Sequence, residues 1–192
     1  MEERKLSEKE SLELIAQMIR NTQQRMEKNS GVPFLIWGYT TVIVSLAVWY
    51  LLTSTGNYLW NWLWFTIPVV GFSLMLLTLK KQDTHPKTYI DRVINYVWIV
   101  IGISALFPSV ATSFMHDFPI LFLVVLLISI GTAITGLIVK FLPLIISGFT
   151  GMCLSIVCLI LKNTPESILV FAALFLIVQV IPGHILNWKS KR

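Results

Sequence analysis

Three residues near the end of the chain have the types and spacing to form a site: Gln179, Pro182 and His184. A glutamine amide donates and accepts hydrogen bonds, and an imidazole can hold a proton or bind a ligand. Pro182 removes one backbone N–H and crowds the carbonyl of Val178, so a helix passing through it should kink there. Gly183 follows and lets a neighbouring element come close. The competing reading of His184 is a histidine near a helix C-terminus, where a protonated ring complements the helix dipole. A ligand-binding or gating role is the functional alternative.

Other chemistry finds few carriers. The chain has no phosphate-binding Walker loop, no dinucleotide glycine fingerprint, no His-Glu-x-x-His and no serine elbow, so no enzymatic activity is expected. Cys153 and Cys158 lie five residues apart, about 7.5 Å along a helix, which exceeds disulfide reach and reads as two small buried apolar side chains. Glu166 suits the first turn of a helix. Asp91 and Arg92 can reach an interface from the start of one.

What positions these residues is set by hydropathy. The 192 residues are 55% hydrophobic and only 13% charged, about half the charge of a soluble domain. Crossing a bilayer core of roughly 30 Å takes about 20 apolar helical residues. Six stretches qualify: Pro33–Thr53, Leu59–Leu79, Val93–Phe114, Phe118–Val139, Phe141–Leu161 and Ser167–Leu186. None has Asp, Glu, Lys or Arg in its interior. Runs such as ILFLVVLLISI do not alternate as barrel strands do, so the fold class is all-α, a polytopic membrane protein of six helices. From Phe118 to Leu161 only Lys140 interrupts the apolar run. The chain must therefore turn near Lys140, with Pro143 opening the return helix; a re-entrant pair is the alternative. Pro68 and Pro108 are expected to kink the second and third spans.

Charge gives the threading. Arg4, Lys5, Lys9, Arg20, Arg25 and Lys28 precede the first span. Lys80, Lys81, Lys87 and Arg92 lie between the second and third, Lys140 in the next loop on that side, and Lys189, Lys191 and Arg192 at the end. Only Lys162 falls on the other side. The positive-inside rule then puts both termini in the cytoplasm, with the first span as an uncleaved anchor, in an inner (plasma) membrane. Trp49, Tyr50, Tyr58, Trp60, Trp62 and Trp64 gather at the outer turn, and Trp37, Tyr39, Tyr96, Trp98 and Trp188 near the inner ends, as aromatic belts do. In this threading His85 and His116 are on opposite sides of the membrane from each other, so no metal or other cofactor is expected. The net charge of +5 is a topology signal, and nucleic acid is not an expected partner.

Three regions follow: residues 1–32, a cytoplasmic segment; 33–188, the transmembrane domain; and 189–192, a basic tail. Ser7 and Glu10 form a capping box, and Leu12, Ile15, Ile19 and Met26 recur at helical spacing, which predicts an amphipathic helix over about 7–29. Its face is a candidate partner-binding surface; its acids and bases balance, which weakens attraction to anionic lipid. The alternatives are packing on the inner loops or lying at the headgroups. Ser129, Gly131, Thr132, Ala133, Thr135 and Gly136, with Ser147, Gly148, Gly151 and Ser155, predict close helix packing; a narrow solute path is the other reading. Phe65-Thr66-Ile67-Pro68 and Phe141-Leu142-Pro143 hint at an inverted repeat.

Ser11-Leu12-Glu13-Leu14-Ile15, Trp37-Gly38-Tyr39, Trp60-Asn61-Trp62-Leu63-Trp64-Phe65, Tyr89-Ile90-Asp91-Arg92, Gly131-Thr132-Ala133 and Pro182-Gly183-His184-Ile185-Leu186-Asn187 together resemble a group of small uncharacterised bacterial integral membrane proteins with six helices. The resemblance covers nearly the whole chain. It implies a bacterial inner membrane and supplies no activity and no site residue. Two function classes stay open. One is a non-enzymatic sensor, regulatory or interaction protein that presents its N-terminal helix to a cytoplasmic partner. The other is a small transporter or channel for a neutral or apolar solute. The lipid bilayer is the expected partner in both, and a homo-oligomer is open in both.

Overall fold

The computed structural model describes residues 31–80, 89–112, 118–162 and 164–189, together with Glu13. These residues are 92% helical and contain no strand. Six helical spans are long and apolar enough to cross a membrane: Gly31–Thr55, Tyr58–Thr78, Tyr89–Ala111, Ile120–Val139, Leu142–Ile160 and Glu166–Lys189. Number, class and order match the hydropathy pattern, and the ends agree to about one turn. The amphipathic helix expected over 7–29, with Leu12, Ile15, Ile19 and Met26, lies outside the described residues, as do His85, His116 and Asp117. Glu13 is helical and exposed.

The first span is one helix, α1 (Gly31–Thr55). The second begins differently from expectation. Tyr58–Phe65 is a 3-10 helix, and α2 (Thr66–Lys80) continues from it. Gly56, at φ +64°, turns the chain out of α1. Asn57 then caps the 3-10 segment, its side chain accepting from the Leu59 amide at 3.0 Å. Trp60 Nε1 donates back to Thr55 Oγ1 at 3.0 Å. With three residues per turn, alternate tryptophans point to different sides: Trp62 is exposed, whereas Trp64 packs edge-on against Phe171 at 5.4 Å. Pro68 does not interrupt the helix. It stands in the first turn of α2, where backbone N–H groups lack helical partners anyway. Helix α3 (Tyr89–Ala111) runs through Pro108.

Helices α4 (Ile120–Val139) and α5 (Leu142–Ile160) are two separate spans of 20 and 19 residues, each close to 30 Å long. The turn between them falls at Lys140, as expected. Its form is a Schellman motif without glycine: the Lys140 amide donates to Leu137 O, the Phe141 amide donates to Gly136 O at 2.9 Å, and Lys140 itself takes φ 56°. Phe141 is buried in a cluster with Val139 and Leu144, and Pro143 stands in the first turn of α5. The last span is composite: α6 (Glu166–Phe175), a π turn (Leu176–Val180) and α7 (Ile181–Lys189).

The sixth span is the centre of the bundle. It packs against α1 and α5 and more lightly against α4. At the end where α1 starts, Phe34, Val139, Phe141, Leu144 and Leu186 form one buried cluster, braced by Trp98 edge-on to Phe34 at 5.6 Å. Towards the other end Val42, Val125, Cys158, Phe171, Leu174 and Phe175 form a second. The second and third spans flank this core and are mostly exposed. α2 leans on α1 through Trp37, which lies edge-on to Phe72 at 5.2 Å and covers Gly71. Between α2 and α3 there is no extended packing among the described residues, whereas α5 packs along the sixth span, so the two halves do not share one arrangement.

The small residues bring helices into backbone contact. A Cβ on Gly136 would stand 2.7 Å from the Ile145 nitrogen, and one on Gly151 would collide with the Val178 side chain. Several buried hydroxyls bond to their own helices: Thr132 Oγ1 donates to Ile128 O at 2.8 Å, Thr135 Oγ1 to Gly131 O at 2.7 Å, and Ser45 Oγ to Thr41 O at 2.6 Å. These side chains act as slim packing surfaces. Cys158 is buried as expected, but Cys153 is exposed, because five residues put the two on different sides of α5.

Candidate functional site

The π turn is how the sixth helix accommodates Pro182. Proline has no N–H for Val178 O and its ring would press on that carbonyl in an α-helix. The chain instead widens by one residue: the Ile181 amide donates to Leu176 O, five residues back. Ser147 Oγ, from α5, lies 3.5 Å from the bypassed Val178 O and donates its nearer bond, of 3.1 Å, to Leu144 O. The proline break expected from sequence therefore takes the form of a π turn.

This turn holds Gln179 in the core. The residue is 1% exposed, and its Oε1 has no hydrogen-bond partner among the described residues. Gly38 makes the room: a Cβ there would stand 3.2 Å from Gln179 Cβ and 2.7 Å from Val180 Cγ2. Ser129 Oγ in α4 is the other buried side-chain atom without a partner among the described residues. Pro182 is also buried.

His184 is placed elsewhere. It is exposed, and its Nε2 lies 2.7 Å from the phenol oxygen of Tyr39 in α1, the rings edge-on at 5.8 Å. The seam that brings them together is tight. A Cβ on Gly31 would be 2.8 Å from Gly183 O, and one on Gly183 3.1 Å from Leu35 Cδ2 and from Phe34 Cβ. Of the three residues singled out by sequence, Gln179 and Pro182 thus face the core and His184 faces outward with Tyr39. Gln179 and His184 therefore lie on different sides of the sixth span. Tyr39, expected only as a belt aromatic, is the member sequence reasoning missed. The signal was its depth, since both residues lie within about three turns of the basic end of their spans.

The chemistry available here is that of hydrogen bonding. A phenol, an imidazole and a primary amide can orient a polar group and shuttle hydrogen bonds between donor and acceptor roles. Glu166 opens α6 and Asp91 falls in the first turn of α3, each where an acid complements the helix dipole. At the basic end, Lys189 Nζ lies over the Phe141 ring, 5.5 Å from its centre.

The chain is a six-span helical membrane protein built round its last helix. No protein-family model, no curated protein and no solved structure matches it.

Proposed function

We propose that this is a non-enzymatic interaction or regulatory protein of a bacterial inner membrane, with both termini in the cytoplasm and its N-terminal segment offered to a cytoplasmic partner. The observation that carries the reading is the seam of α1 on α7. With Gly31 set against Gly183 O and the Asn187 backbone, the first residue of α1 has a fixed place beside the end of the sixth span. The point from which the N-terminal segment departs is therefore held by the packed core. The hydroxyls turned onto their own helices support the same reading, since they spend their hydrogen bonds within the fold. Deleting residues 1–29 tests it. Cytosolic proteins cross-linked by the full chain should be lost while the membrane body still purifies folded; recovery of the same proteins from the deleted chain would refute it.

A second reading, a small transporter for a neutral solute, has one observation in its favour: the unpaired Gln179 Oε1 in the π turn, since π turns recur at functional sites. It predicts solute flux in proteoliposomes that falls in Gln179→Ala. Vesicles that stay sealed to a broad panel of neutral solutes would eliminate it.

A further inference from the structure

We draw no further inference here: the strongest candidate, the two buried oxygens beside the π turn that have no partner among the described residues, Gln179 Oε1 of the sixth span and Ser129 Oγ of α4, belongs in part to the site already described, and with Gln179 set against Gly38 of α1 and Ser129 against Gly151 of α5 nothing in the structure brings both oxygens onto one ligand.

Discussion

Gly148 of α5 rests directly on the backbone of Ala133 in α4: a Cβ on Gly148 would lie 2.5 Å from the Ala133 nitrogen and 2.7 Å from its Cα. Apolar side chains gain little by leaving lipid for a protein interior, so helix pairs in membranes depend on close van der Waals contact and on small residues that permit it. The Gly148–Ala133 contact is a backbone-on-backbone approach within the most extensive helix pair of the bundle.

Gly148→Ala should therefore force α4 and α5 apart and cost about 1–3 kcal/mol, the usual penalty of overpacking. Gly102→Ala is the matching control. Gly102 is exposed in α3, and nothing lies within 4 Å of its added Cβ. There the change should be neutral or stabilise by up to about 1 kcal/mol through helix propensity. Thermal unfolding in mild detergent separates the two; equal shifts in Tm would show that the α4–α5 contact does not have this weight.

Lys140 is the one residue other than glycine with positive φ among the described residues. A side chain in that conformation is strained by about 1 kcal/mol, and glycine is not. Lys140→Gly should raise the Tm slightly and Lys140→Val should lower it, because a β-branched side chain fits the left-handed region worst. The same rise for both variants would point to the lost charge rather than to the backbone.

Much of this fold was legible in the sequence because hydropathy needs no knowledge of contacts. Six apolar runs, a lone lysine and Pro143 suffice to count the spans and place the turn. The small residues of α4 and α5 were legible for the same reason, since a face without bulk can only be a packing face. Rotation was not legible. Whether Tyr39 meets His184 depends on how two helices 145 residues apart in sequence are turned towards each other, and apolar residues on every side of a span leave no stripe to reveal it. Local helix type was hidden too. Nothing in YLWNWLWF separates a 3-10 from an α segment until Asn57 and Thr66 bond to its two ends.

Gln179 carries the sharpest contrast between structure and function. A buried acceptor without a donor costs about 1–3 kcal/mol. Gln179→Leu keeps roughly the same volume, so it should leave stability unchanged or raise it by an amount in that range. A drop in Tm would mean that the amide is bonded in the membrane by a group such as an ordered water, and flux measurements on the same variant would then decide whether that group is part of a solute path.

The cysteines give the cheapest check on the orientation of α5. Cys153 is exposed and Cys158 is buried against the sixth span and its neighbours. In detergent micelles, N-ethylmaleimide should modify one thiol per chain in the folded state and two after denaturation in SDS. Cys153→Ser should abolish the native labelling, and Cys158→Ser should leave it intact. The rate rather than the extent is the informative quantity, since the small reagent reaches any thiol once the bundle opens; a Cys158 rate equal to that of Cys153 would mean that α5 is rotated from the position described. Gly148→Ala supplies an internal link between the two tests. If that added methyl separates α4 from α5, Cys158 should become faster to label in that variant while Cys153 stays the same.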